Sequence, residues 1–213
     1  MRRDIPKLCA DSLRALAKDK YGIKLKAAHA HELVAAYMGY GSKNALLADK
    51  KYPIGNLAKA ELVVMIPDAV IDQRRQKLEG LSTELPDSYA LGEAVYGPLF
   101  SDEWWGSTFP PFRSFDKLAK VLVENNDAFK AAFQYRDKIP MHHFVSVKQE
   151  EDVVVLEVIH SYESTAGEMH RDGQTTITLP RIAGRIGFGQ PKMSVTQFTA
   201  GARKTLKSLG VQS

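Results

Sequence analysis

The sequence predicts an α+β protein: a helical N-terminal half with a three-helix, helix-turn-helix-like unit, then a four-stranded antiparallel meander and a C-terminal helix. Two observations indicate this class. Apolar residues recur at helical spacing through much of the chain before about residue 136. Beyond Ile139 and Pro140 they recur at every second position, which is typical of half-buried strands. We expect a basic three-helix unit at residues 1–55 and an α+β domain at residues 56–213.

The N-terminal unit is marked by residues that begin and end helices. Asp4 is a suitable N-cap for the first helix, and Gly22 can end it in the left-handed conformation. Gly39 and Gly41 flank a tight turn before Ser42, which caps the third helix. The three helices are predicted at residues 5–20, 26–38 and 43–50.

The second domain should consist of helices, a sheet and a closing helix. Pro67 and Asp68 would begin its first clear helix, after a short strand over residues 62–66. Alternating residues around Glu150 and Glu151 predict a β-hairpin. The predicted ranges are 68–136 for the helices, 142–189 for the sheet (strands 142–148, 153–160, 175–179 and 185–188, with a polar loop at 161–174) and 196–209 for the closing helix.

Positive charge is concentrated near the N-terminus, although the net charge of the whole chain is only +4. Residues 1–59 contain twelve Lys and Arg against five Asp and Glu, whereas residues 60–100 contain three against seven. Residues 191–213 carry four basic side chains and no acidic one. Basic segments of this kind are typical of proteins that bind a polyanion, and a solvated lysine-rich surface is the alternative explanation.

The segment from 32 to 46 has the spacing of a helix-turn-helix. In that motif a small residue lets two helices approach, and a glycine four positions later permits a positive φ in the turn. Ala35, Gly39, Ala45 and Leu46 fit this spacing, and the recognition helix would begin at Ser42. A helical hairpin without a DNA-binding role needs the same small residue and glycine.

This interpretation assigns nucleic-acid contacts to basic and polar residues of the N-terminal unit. Lysine and asparagine side chains contact guanine and adenine edges, and further basic side chains contact phosphates. The predicted contacts at the recognition helix and just after it are Ser42, Lys43, Asn44, Lys50 and Lys51, and the predicted phosphate contacts are Arg2, Arg3, Lys24 and Lys26.

The same segment also resembles a protein family, through residues 25–35 (LKAAHAHELVA), 38–40 (MGY) and 42–46 (SKNAL). It looks like the N-terminal helical region of small bacterial proteins that are often carried on plasmids and other mobile elements, some of them named as glyoxalase-related. The resemblance covers about residues 20–50, and Lys43 stands where that family usually has a tryptophan. In the family a catalytic metal-binding domain of βαβββ units follows. Because a single meander is predicted here, the resemblance implies the helical module and a mobile-element context, not the activity.

Three histidines could form a metal site. The predicted hairpin places His143 and His160 near each other at one end of its apolar face, and the following loop contains Glu168 and His170. No established ligand spacing fixes this geometry, and histidines at a strand end are more often half-buried with a backbone partner. We therefore expect no metal or other cofactor.

An aromatic block gives a second candidate binding surface. Seven of the nineteen aromatic residues lie within residues 96–115. The block either forms core or presents Trp104, Trp105 and Arg113 to a protein partner or to single-stranded bases. Two adjacent tryptophans in an extended segment point to opposite sides, so we expect at least one at an edge or interface.

These observations favour a mobile-element-associated accessory protein that binds nucleic acid through its basic N-terminal helices, with no enzymatic activity assigned. A protein-interaction module that uses the aromatic block is the alternative, and a metal-dependent enzyme is the third. Cys9 is the single cysteine, which excludes an intramolecular disulfide and favours the cytoplasm. The apolar runs are shorter than the roughly 18–20 residues of a membrane helix, so no membrane association is expected.

Overall fold

The structure is a computed structural model that describes residues 4–99, 110–133, 141–163 and 169–197. These residues form helices and an antiparallel sheet, which confirms the α+β class. The chain divides into two compact units: unit 1 is Met1–Ser114 with Arg181–Gln190, and unit 2 is Phe115–Pro180 with Pro191–Ser213. The predicted boundary at residue 55 falls inside unit 1, because the first helices share a core with later ones.

Helix α1 begins and ends at residues that are suited to satisfy its terminal backbone groups. Asp4 accepts a hydrogen bond from the Lys7 amide, and Gly22 ends the first helix at φ +70°. The third helix stops at Ala48, two residues earlier than predicted, because Asp49 is extended. The helices are α1 (Ile5–Tyr21), α2 (Ala27–Tyr37), α3 (Lys43–Ala48), α4 (Asp68–Gln76) and α5 (Ser88–Tyr96), with 3₁₀ segments at Ile54–Lys59 and Gly97–Leu99.

The core of unit 1 lies between α1, α2 and α5. Leu13, Leu33 and Leu91 are fully buried, one from each of these helices. Tyr37 at the end of α2 is also fully buried, and its ring meets that of Tyr96 edge-on at 5.6 Å between centroids. This burial holds α2 firmly, so the turn that follows it is built on a rigid base.

A small antiparallel sheet completes unit 1. Its strands are β1 (Leu62–Val63), β5 (Gly187–Phe188) and the end of β4 (Met169–Ala183). The turn between β4 and β5 uses Gly184 at φ +54°, and the register shifts between Arg181 and Ala183. The predicted strand at 185–188 is therefore shorter, with Arg185 in the turn.

Unit 2 is a sheet with helices against one face. In its part of the sheet, the strand order is β2–β3–β4–β6, with every neighbouring pair antiparallel. Val154, Leu156 and Val158 point to the buried face, where Phe129 of α7 lies 4.8 Å from the ring of His160. The elements are α6 (Phe115–Glu124), α7 (Asp127–Phe133), β2 (Met141–Gln149), β3 (Val153–Glu163), β4 as far as Pro180, and β6 (Lys192–Gln197).

The predicted hairpin is confirmed, with Val145 opposite Val158 and Val147 opposite Leu156. The described residues contain six strands, whereas the sequence predicted a four-stranded meander and one short strand at 62–66. The prediction of a polar loop at 161–174 is wrong at both ends of that range. Strand β3 extends to Glu163 and strand β4 begins at Met169, and these extensions pair with each other. The predicted closing helix is also wrong at its start: Thr196 lies in β6, and the rest of that helix falls outside the described residues. No described helix is long and apolar enough to cross a membrane.

Candidate nucleic-acid interface

The turn between α2 and α3 depends on Gly39 for two reasons. Its φ of +84° lies in the left-handed region, as the helix-turn-helix spacing predicts. In addition, a Cβ at this position would lie 2.8 Å from the Cβ of Arg185 and 3.0 Å from Cδ1 of Ile66. The glycine therefore also allows the β4–β5 hairpin to approach the end of α2, a role that the sequence pattern does not indicate.

The start of α3 is fixed by polar contacts. The Ser42 hydroxyl accepts a hydrogen bond from the Ala45 amide at 3.1 Å, so its oxygen serves as the helix cap. The Lys43 amide donates to the Glu32 carboxylate at 3.3 Å. Lys43 is half-buried and Asn44 is exposed. Of the three contacts predicted at the start of the recognition helix, Ser42 thus has a structural role, and the side chain of Asn44 is accessible.

Glu32 joins three helices. Besides the Lys43 amide, its carboxylate contacts the Arg74 guanidinium of α4 at 2.5 Å. Both side chains are partly buried, so solvent screens this pair less than an exposed one. The pair holds α4 against α2, and Glu32 also holds the start of α3; no local pattern in the sequence indicates this contact.

Only one side chain of α3 is buried. Leu46 is 3% exposed, whereas Leu47 is 49% exposed and Ala45 is also exposed. Ala45 fits the helix-turn-helix spacing but does not pack against α2, because a six-residue helix turns only one narrow stripe towards its neighbour. The consequence is that α3 presents Asn44 and Leu47 to solvent.

Asp49 shapes the loop that carries the two predicted lysines. It accepts hydrogen bonds from the Tyr40 hydroxyl at 2.5 Å, the Tyr52 amide at 2.8 Å and the Lys51 amide at 3.1 Å. Burial raises the pKa of the Asp49 carboxyl, but these hydrogen bonds and the charge of Arg185 outweigh burial, so its pKa lies below the usual value. Lys50 and Lys51 are exposed on this fixed loop.

The β4–β5 hairpin brings two arginines to the same loop. The Gly184 amide donates to the Tyr52 carbonyl at 2.8 Å, which joins the hairpin turn to the residue after Lys51. The Arg185 guanidinium lies 5.3 Å from the centroid of the Tyr40 ring. Arg181 is half-buried, and burial together with the positive charge of Arg185 lowers the pKa of its guanidinium. We refer to residues 181–188 as the arginine hairpin.

The remaining residues predicted to contact phosphate are only partly described. Lys24 and Lys26 are exposed at the start of α2, where Lys26 makes no capping side-chain hydrogen bond. Arg2 and Arg3 lie outside the described residues.

Residues 20–50 resemble the helical region of a mobile-element-borne family, and this resemblance was compared with known proteins. The chain matches no protein-family model, no curated protein and no solved structure. The functional interpretation therefore depends on the side-chain geometry.

A separate cavity of about 540 Å³ lies in unit 1 beside the predicted partner-binding residue Arg113. The Arg113 guanidinium lies 4.4 Å from the centroid of the Tyr89 ring and donates to its hydroxyl at 3.1 Å. Tyr89 is 60% exposed. Trp104 and Trp105, the other two residues predicted for this surface, lie outside the described residues.

The three candidate metal ligands lie on β3 and its two neighbours. The register places His143 directly opposite His160, as the hairpin predicted, and His170 opposite Tyr162. The His160 Nε2 lies 2.7 Å from the Thr175 hydroxyl, and the side chain is buried. Among the residues whose side chains are described, no group of three His, Cys, Asp or Glu could hold a metal ion. The side chains of His143 and His170 are not among these, so the three-histidine set stays the alternative hypothesis that the sequence suggested.

Proposed function

We propose that the chain is a nucleic-acid-binding protein whose interface is α3 with the loop that follows it. The observation that carries the proposal is that one continuous segment, residues 43–51, exposes polar, apolar and basic side chains from a backbone held at both ends. Asn44, Leu47, Lys50 and Lys51 are exposed there. Amide, methyl and ammonium groups are the types that contact base edges and phosphates.

The fixed backbone of this segment supports the proposal. Glu32 holds the amide of Lys43 at its start, and Asp49 holds the amides of Lys51 and Tyr52 at its end. A segment that is ordered before binding loses less conformational entropy on contact with a duplex. This segment, with α2 and the turn before it, corresponds to the helix-turn-helix that the sequence predicts. The proposed mobile-element context rests on the family resemblance alone.

The experiment is a titration of the full chain into fluorescently labelled, mixed-sequence duplex and single-stranded DNA over a series of salt concentrations. We expect binding that weakens steeply with salt, because each lysine–phosphate contact releases counterions. Lys43→Gln with Lys50→Gln should lower the slope of log K against log salt by about 0.9 for each phosphate contact that is lost.

The matched control is Lys120→Gln with Lys130→Gln, which also removes two positive charges, from exposed positions in unit 2. This control should bind as the unchanged chain does. No binding at low salt, or equal losses in the two double variants, would overturn the proposal.

A second candidate function is the capture of a protein partner at the cavity beside Arg113. Arginine and tyrosine are common among the side chains that dominate protein interfaces, and the Arg113–Tyr89 pair stands at the rim of a cavity of ligand-binding size. Trp105→Ala, compared with Tyr89→Ala and Arg113→Ala, tests this function in pull-down experiments. Loss of one defined partner in all three variants, with the fold retained, is the expected result, and an unchanged set of partners contradicts it.

A further inference from the structure

The side chain of Arg185 is held beside the proposed interface by an aromatic ring. Its guanidinium lies over the Tyr40 ring, and the Tyr40 hydroxyl is in turn held by Asp49. Among the described residues, no hydrogen bond or ion pair engages the Arg185 guanidinium. The side chain is therefore positioned by a ring face while its N–H donors stay available.

A second positive charge lies close to it. Arg181 precedes Arg185 by four residues on the same hairpin, and the charge of Arg185 disfavours the charged form of Arg181. Asp49 is the acidic group that acts on both arginines, and its carboxylate already accepts three hydrogen bonds. Two neighbouring guanidinium groups repel each other, and an anion bound beside Arg185 would reduce that repulsion.

The arginine hairpin is attached to the loop that carries the predicted lysines. The hydrogen bond from Gly184 to Tyr52 and the close approach at Gly39 fix the hairpin against both ends of the α3 segment. The four basic side chains Lys50, Lys51, Arg181 and Arg185 therefore belong to one region of unit 1, although about 130 residues of sequence separate the pairs.

We propose that Arg181 and Arg185 bind backbone phosphates of the duplex that contacts α3, so that the arginine hairpin is a second part of the nucleic-acid interface. This inference rests on the proposed function. The planar fork of a guanidinium matches two phosphate oxygens, which makes arginine suited to this contact where a lysine supplies only a point charge. Phosphate contacts carry no sequence information, so the hairpin sets affinity and register and leaves base contacts to α3.

The test compares four forms of the full chain in the same salt series with duplex DNA: unchanged, Arg185→Gln, Arg185→Lys, and Arg181→Gln with Arg185→Gln. The slope of log K against log salt should fall by about one for Arg185→Gln and by about two for the double variant, for every DNA sequence. Arg185→Lys keeps the charge, so its slope should match the unchanged chain while its affinity falls. Lys130→Gln is the control for the loss of one exposed charge outside the site.

The outcomes separate this inference from the function on which it depends. If the unchanged chain binds DNA and both arginine-to-glutamine variants keep its slope and affinity, the hairpin does not contact the duplex and the inference fails, while the proposed function stands. If the unchanged chain does not bind DNA, both the proposed function and this inference fail. Arg181 is half-buried, so its replacement can destabilise the fold. If the double variant unfolds at a lower temperature, the single variant Arg185→Gln, at an exposed position, gives the result.

Discussion

The Tyr96 hydroxyl donates a hydrogen bond to the Tyr37 carbonyl at 2.8 Å. This contact ties α5 to the last residue of α2. The Tyr37 hydroxyl donates in turn to the Ser88 carbonyl at the start of α5, at 2.5 Å. Each tyrosine thus satisfies a backbone group of the other's helix region, and the two contacts hold the end of α2 from which the turn at Gly39 departs.

Tyr96→Phe should destabilise the protein by about 1–3 kcal/mol, since the change leaves a buried carbonyl without this partner. The same hydroxyl also accepts from the Ile66 amide. Tyr89→Phe is the control, because Tyr89 is exposed and the loss of its hydroxyl should change the free energy of unfolding by less than about 0.5 kcal/mol. Urea denaturation followed by circular dichroism measures both, and equal effects would contradict the prediction.

Gly39→Ala should cost more than Gly22→Ala. Both glycines have positive φ, so alanine at either position is strained by roughly 1–2 kcal/mol. Only Gly39 has atoms within 3.0 Å of the added Cβ, whereas nothing lies within 4 Å at Gly22. The difference between the two free energies of unfolding therefore measures the close approach of the hairpin. A larger loss for Gly22→Ala would show that this approach is not tight.

Asp49 should stabilise the fold at neutral pH and lose this effect in acid. Its folded-state pKa lies below the ordinary value of 3.8, so the carboxylate contributes stability above that value and loses it as the pH falls through the lower folded pKa. Unfolding free energies of the unchanged chain and Asp49→Asn, measured from pH 7 down to pH 2.5, should therefore converge in acid. A gap that stays constant or widens on acidification would contradict the assignment.

The thiol of Cys9 should be inert in the folded protein. Burial raises the pKa of this thiol to about 12, and the side chain is fully buried on α1. Because the thiolate is the reactive form, a disulfide reagent at pH 8 should label the native chain only as fast as it opens, and label the urea-unfolded chain at once. Rapid labelling of native protein would show that the N-terminal half of α1 frays.

Local signals in the sequence predicted the local structure well. Asp4 and Gly22 mark the ends of α1 because capping depends on neighbouring residues. The alternation on either side of residues 150–152 was enough to set the register of β2 against β3. By contrast, residues 192–197 pair with a strand about twenty positions away, and that long-range pairing overrides a weak local preference.

The candidate site divides in the same way. The turn glycine and the lysines after α3 could be found from spacing and charge. Arg181 and Arg185 could not, since their place beside Asp49 and Tyr40 depends on a hairpin that returns from a distant part of the chain. Glu32 and Arg74 are likewise joined by a contact between helices 42 residues apart.

The make-up of unit 1 determines when this unit can finish folding during synthesis. Its last ten residues, Arg181–Gln190, are translated after most of unit 2, yet Ala183 and Ile186 belong to its buried core and β5 covers β1. At about 5–20 residues per second, a ribosome needs roughly 4–15 s to travel from residue 114 to residue 190. During that interval the nascent first segment has an open edge at Leu62 and Val63, a site where another chain could pair. Synthesis of the arginine hairpin thus completes the core of unit 1. It also covers the edge of β1, so that another chain can no longer pair there.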